Sequence, residues 1–168
     1  MTEAQGKTAP IQKSVCVECP IEDAFYLFTE HFAEWWPLAS HSITGDEAET
    51  CAIEPWAGGK VFERTRLGEE LEWGIVTAWE PPKRVEFTWH PATNHEDDQK
   101  VEIKFRTVAY GTEITVTHHG WDAAATHRGW DGAAIEGSTA GPRAMACWLA
   151  ILDSCFCRFV AEQMLVTA

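Results

Sequence analysis

The chain has 168 residues, which suits one domain with a sizeable core. Its 26 acidic residues outnumber 13 basic ones, and the formal net charge of -13 opposes nucleic acid and anionic membrane surfaces as partners. No apolar run nears the roughly 20 residues of a membrane-spanning helix, and residues 1–10 lack a signal core, so a cytoplasmic protein with reduced thiols is expected.

Residues 1–10 read as a flexible N-terminal tail and 11–168 as a single domain. A strand is predicted over about 11–18. CPIEDAFYLFTEHF then reads as a helix, with Pro20 at its start, Glu22 and Asp23 in the first turn, and Ile21, Phe25 and Phe28 as its apolar stripe. AEWWP is a short second helix or turn, since Pro37 restricts Trp36 to extended backbone. A polar loop covers 38–49. Strand-like runs follow near 50–56, 60–66, 71–80, 83–90, 100–108 and 112–119. Gly58-Gly59, Gly68, Pro81-Pro82, the NHEDD run and Tyr110-Gly111 punctuate them, which predicts an antiparallel meander.

Within that meander, residues 72–91 form an aromatic hairpin. Strand alternation puts Leu71, Trp73, Ile75 and Trp79 on one face of its first strand, and Val85, Phe87 and Trp89 on one face of its second. The segment 121–139 contains GWD twice and reads as a long connection of the lid or binding-loop kind, with room for one helical turn. Ser138 or Thr139 can cap a last helix that Pro142 helps to start. Met145, Trp148, Ile151, Leu152, Cys155, Phe156 and Phe159 form its stripe, to about residue 165. The order predicts an α+β fold, a curved antiparallel seven-stranded sheet wrapped around a long C-terminal helix, with two short helices after strand 1. A cavity is expected where sheet and helix separate.

These segments resemble the START-like, or SRPBCC, superfamily with its helix-grip fold. Within it they are similar to the branch named after the activator of the heat-shock-protein-90 ATPase. The matching runs span about Val15 to Val160. They are CPIEDAFYLF, Trp35-Trp36, AGGKVFER, WGIVTAWEPPKRVEFTW with Gly74, Pro81, Pro82, Thr88 and Trp89 in place, and YGTEITVTHHGW. Two features depart from the branch: Cys147-Trp148 stands where Gly-Trp is common, and the GWD-rich insertion is long. The resemblance implies a ligand-holding cavity between sheet and helix. It implies no single activity, because relatives bind hydrophobic molecules, sequester toxins or act as enzymes.

Six cysteines include a CxxC at Cys16 and Cys19, but it closes a strand, no second CxxC follows, and Cys155 and Cys157 cannot face each other on a helix. Free thiols are expected, mostly buried. Seven histidines show no metal-ligand spacing, and adjacent His118 and His119 point to opposite faces, so neither metal nor cofactor is expected. His118 shares parity with Ile114 and Val116 and is a candidate base, or else a hydrogen-bonded core histidine. Glu54 shares parity with Trp56 and is a second candidate base, or else belongs to a surface ion-pair ladder. Arg64 shares parity with Phe62 and could hold an anionic group, or else belong to a surface ion-pair ladder. Glu72 opposes Trp73 and should be solvated. The expected pocket lining is Trp36, Trp56, Phe62, Arg64, Trp73, Trp89, His118 and Trp148. Three readings follow: a binding protein for a small apolar or aromatic molecule, an enzyme using the same pocket through His118 or Glu54, or an interaction module such as a chaperone regulator or a homodimer built on exposed Trp.

Overall fold

Alternating apolar and polar residues extend seven segments of this chain, and a computed structural model describing residues 10–90, 99–120, 126–128, 134–136 and 146–167 joins them in one antiparallel sheet. The strands are β1 (Ile11–Val17), β2 (Ala48–Ile53), β3 (Lys60–Thr65), β4 (Glu70–Glu80), β5 (Arg84–Thr88), β6 (Lys100–Val108) and β7 (Gly111–His119). Their order is β1-β7-β6-β5-β4-β3-β2. Strands β2 to β7 therefore make the expected meander, and β1 completes the sheet by pairing with β7, Val15 opposite Ile114.

Helix α1 (Ile21–Thr29) follows β1 directly. Pro20 stands just before its first residue with extended backbone, and the stripe buries Ala24, Phe25, Leu27 and Phe28. Phe25 meets Phe105 of β6 and Trp79 of β4 at ring centroid distances of 5.1 and 5.2 Å. Helix α2 (Phe32–Trp35) is one short turn, and it ends where Pro37 requires: Trp36 has ψ 132°. The C-terminal helix, α3, runs through 146–150, a π-helical stretch Ile151–Phe156 and an α-helical end Cys157–Thr167. Trp148, Ile151, Leu152, Phe156, Phe159 and Val160 are its buried face. The sheet curls around this stripe, as the apolar surface of both requires.

Strand β4 departs from simple alternation. Its register slips by one residue against β3 at Trp73 and against β5 at Thr77. Each bulge bends the strand and resets which side chains face inward. Trp73, Val76 and Trp79 consequently reach the core at steps of three, while Leu71 and Ile75, expected beside Trp73, are only half-buried. Gly74 lies between the bulges, where a Cβ would stand 1.8 Å from the Thr88 carbonyl oxygen. The Thr88 hydroxyl in turn accepts the Ile75 N–H at 2.8 Å.

Part of the GWD-rich segment is described. β8 (Thr126–Arg128) and β9 (Ala134–Glu136) pair antiparallel, His127 opposite Ile135; the helical turn that the sequence allows elsewhere in 121–139 lies outside the described residues. β-branched Thr126 and Ile135 favour that extended backbone. The tail over 1–9, the NHEDD turn, both GWD motifs, the cap at Ser138 or Thr139, Pro142 and Met145 lie outside the described residues.

Candidate functional site

Four indoles and one imidazole converge from five parts of the fold. Trp36 follows α2, Trp73 lies on β4, Trp89 follows β5, His118 is on β7 and Trp148 is on α3. Trp36 is central, with ring centroids 5.5 Å from Trp73, 6.2 Å from Trp89 and 5.9 Å from Trp148. Trp89 joins Trp148 at 5.9 Å and His118 at 6.1 Å. These separations and the mostly tilted or edge-on geometries are those that ring quadrupoles favour. All five side chains are buried, with Trp89 the most exposed at 9%.

The polar atoms in this cluster have defined roles. Trp148 Nε1 lies 3.0 Å from His118 Nδ1, and an indole nitrogen can only donate. Nδ1 is therefore the bare acceptor, and Nε2 carries the proton and donates to Gln99 Oε1 at 2.8 Å. His118 is thus a neutral imidazole whose basic lone pair is occupied. At the opposite side Glu63, 0% exposed, accepts the Trp73 indole N–H at 2.7 Å. Trp36 Nε1 donates to the His41 carbonyl at 2.8 Å. Burial lowers His41 below the ordinary imidazole value, and its Nδ1 lies 2.7 Å from Ser40 Oγ.

Of the residues expected to line a pocket, Trp36, Trp73, Trp89, His118 and Trp148 come together. Trp56, Phe62, Arg64 and Glu54 do not. Trp56 lies between β2 and β3 and is half exposed. Phe62 is buried, but on the other face of β3, beneath Lys60 and Arg64 at 5.5 and 5.6 Å. Arg64 is paired with Glu70 at 2.7 Å. Glu54 accepts the Lys60 backbone N–H at 2.7 Å, which ties down a turn. The cause is parity. Val61 and Glu63 take the inner positions of β3, so Phe62 and Arg64 must face out. Glu72 is half-buried and keeps part of its solvent exposure, and its carboxylate lies 3.2 Å from His90, which is 3% exposed. The sequence marks Glu63 only as one of three strand carboxylates that burial could turn into an acid or base, and His90 only as a strand-end histidine; it gives no sign of Gln99, since isolated polar residues on strands most often face water.

Six free cysteines divide evenly: Cys19 and Cys51 are buried, Cys155 and Cys157 half-buried, Cys16 and Cys147 exposed. The expected burial thus holds for fewer of them than the sequence reading supposed. Burial, with Asp23, pushes the Cys19 thiol up to about 11. Burial, then the Glu63 charge, raises Cys51 further still. Among the described residues no group of three or more His, Cys, Asp or Glu could hold a metal ion.

A concavity lies on the outer face of the sheet, away from the rings: an open groove of about 630 Å³ lined by residues that include Glu80, Lys83, Arg84, Lys104, Arg106 and Glu113. Its arginines are engaged: Arg84 Nε donates to Glu102 at 2.5 Å and Arg106 to Glu113 at 2.7 Å. This lining is charged and unsuited to an apolar ligand.

Seven antiparallel strands curled around a C-terminal helix, with short helices after the first strand, define a START-like protein of the helix-grip class. Within that class, the chain belongs to the family described as activator of Hsp90 ATPase homolog 1-like protein, whose sequence profile matches residues 18–140. It is similar in fold to a protein from Bacillus halodurans at 20% identity and TM-score 0.66, over 93% of this chain and 99% of that one. It is likewise similar to an AHSA1-like protein from Aeromonas hydrophila, at 21% identity and TM-score 0.62, over 93% and 94% of the chains. A third likeness is to the Aha1 dimer from Colwellia psychrerythraea, at 15% identity and TM-score 0.60, over 88% and 92%. Comparison with curated proteins gives no match.

Proposed function

We propose that this protein binds a small apolar or aromatic molecule at the ring cluster between the sheet and α3. The observation that carries the reading is the convergence of four indoles and an imidazole from five separate parts of the chain. A fold that needs only a dense core fills it with aliphatic side chains in well-defined rotamers; flat, polarisable rings with one polar edge suit a flat ligand. The enzyme reading has less support. Its best base, His118, has its lone pair engaged by Trp148, and the Glu54 carboxylate is engaged by the Lys60 N–H in a turn. The interaction-module reading rests on exposed Trp56, Leu67 and Tyr110, which sit on separate turns. Six free thiols suit a reducing compartment, and we place the protein in the cytoplasm on that ground. Among the described residues no helix is long and apolar enough to cross a membrane.

The test uses Nile red, a neutral aromatic dye that the acidic surface does not repel. It should bind the folded protein at about one per chain and quench indole emission. Trp89→Ala should weaken binding by about 1–3 kcal/mol. Full-strength binding in both Trp89→Ala and Trp73→Ala would show the rings to be solid core and defeat the proposal.

A further inference from the structure

A carboxylate with no exposed surface is the least expected group in an apolar core, because its lost hydration must be offset by hydrogen bonds. Glu63 has four such bonds. Oε1 accepts from the Ile43 N–H at 2.6 Å and from Trp73 Nε1 at 2.7 Å. Oε2 accepts from the Thr44 N–H at 2.9 Å and from the Thr44 hydroxyl at 2.6 Å. Three of the four partners belong to the loop between α2 and β2, which Glu63 pins to the inner face of the sheet.

The same loop returns to the ring cluster from its other side. Two residues before Ile43, the His41 carbonyl accepts the Trp36 indole N–H at 2.8 Å. Ser42, between them, donates to the Leu38 carbonyl at 2.6 Å and accepts the Gly45 N–H at 2.9 Å, which stiffens the connection. Two of the four indoles are therefore fixed relative to one carboxylate: Trp73 directly, and Trp36 through residues 41–44. These are the two rings that stand closest, at 5.5 Å. The imidazole side of the cluster is held differently, by the bond from Trp148 to His118 and on to Gln99.

We propose that Glu63 is the positioning residue of the ring wall, setting the spacing and tilt of Trp36 against Trp73 and so which flat molecule the wall accepts. This rests on the ligand reading above. The chemistry of the position is narrow. Gln would place its amide NH₂ against the Ile43 and Trp73 N–H donors in one orientation and against the Thr44 N–H in the other, and Asp is one methylene short of its four partners. Cys51, opposite Glu63 in the β2–β3 ladder, has a thiol that burial and the Glu63 charge keep protonated, so it supplies no substitute acceptor of equal strength.

The test has two arms and uses the full chain labelled with nitrogen-15. The first reads the indole N–H resonances, assigned with single Trp→Phe variants. In Glu63→Gln the Trp73 and Trp36 resonances should move. Those of Trp89 and Trp148 should stay within the spread given by the exposed-site variant Glu49→Gln. An unmoved Trp36 overturns the proposal, and so does an equal shift or broadening of all four, which is what mere loosening of the core produces. The second arm measures Nile red affinity. Glu63→Gln and Trp73→Phe should each weaken it about tenfold, the scale of one charge-assisted hydrogen bond. The double variant should lose little more than either alone, because both remove the same bond. An additive loss of about a hundredfold overturns the proposal. If the parent protein binds no Nile red, the ligand reading fails while the resonance arm still decides the role of Glu63. Should Glu63→Gln not fold, Thr44→Val removes one donor and should move the same two resonances by less; any other pattern refutes the relay.

Discussion

Phe156 is the residue at which α1, α2 and α3 meet, and Phe156→Ala tests the packing most directly. Its ring is 0% exposed. It meets Phe28 of α1 at 5.1 Å and Trp35 of α2 at 4.9 Å, both edge-on. A phenyl ring of about 150–250 Å² at about 25 cal/mol per Å² sets the transfer loss near 4–6 kcal/mol for complete removal, and Ala retains part of that. Two ring pairs add about 0.5–1.5 kcal/mol each, and partial collapse of the space takes some back. The expected cost is about 3–5 kcal/mol, a large share of the 5–15 kcal/mol typical of a domain. Urea unfolding followed by far-ultraviolet circular dichroism measures it. Leu165→Ala, at a site 77% exposed, is the control and should stay within about 0.5 kcal/mol of the parent. A cost under about 1 kcal/mol for Phe156→Ala would refute the placement of the α3 stripe against α1 and α2.

Gly74→Ala should cost at least as much as a buried-ring deletion, because its Cβ would stand 1.8 Å from the Thr88 carbonyl oxygen and only backbone movement relieves that; wild-type stability in this variant would contradict the β4–β5 approach. The raised thiols give a pH dependence whose sign follows from proton count. Above the ordinary thiol value of 9.0 the unfolded chain releases protons that folded Cys19, held up to about 11, keeps, so stability falls as pH rises from 9 toward 11. Cys51 behaves alike, and the stability difference between parent and Cys51→Ala should shrink over that window and stay constant below it. His118 should show a bare Nδ1 and a protonated Nε2 in nitrogen-15 spectra at neutral pH; the reverse tautomer would set two N–H groups against each other at Trp148 and remove that bond.

The strand runs were legible because strand alternation and turn punctuation are local. The runs near 60–66, 71–80, 100–108 and 112–119 fall within a residue or so of β3, β4, β6 and β7, and the α3 stripe at Trp148, Ile151, Leu152, Phe156 and Phe159 is the buried face. Bulges are not local. Nothing in ELEWGIVTAWE marks Trp73 and Thr77 as the residues where register slips, since that depends on how β3 and β5 arrive. Ile75 was misplaced for that reason, while Trp73 kept its inward position. The error at β3 has a different source. Strand alternation pairs Phe62 with Arg64, and that pair is expected inward with its aromatic ring. Transfer free energy decides such a choice only when a polar residue has no partners. Glu63 finds four donors, three of them from a loop far away in sequence, and no pattern within VFERT could show them.

The two polar side chains at opposite sides of the ring cluster bear on the choice between binding and catalysis. A base must offer a lone pair to substrate, and a buried acid must have a proton to give. His118 has Nδ1 turned to an indole N–H and Nε2 turned to a carbonyl oxygen, so its polarity is spent on holding α3 and Gln99 in place. Glu63 spends both oxygens on four donors. Both groups thus act on the rings and not through them. Glu63 ties two segments that carry a tryptophan and His118 ties one, and the indoles they fix have their only hydrogen-bonding atoms already engaged within the protein. Rings held in that way discriminate by shape and by stacking area, as the proposed binding of a flat, weakly polar molecule would require.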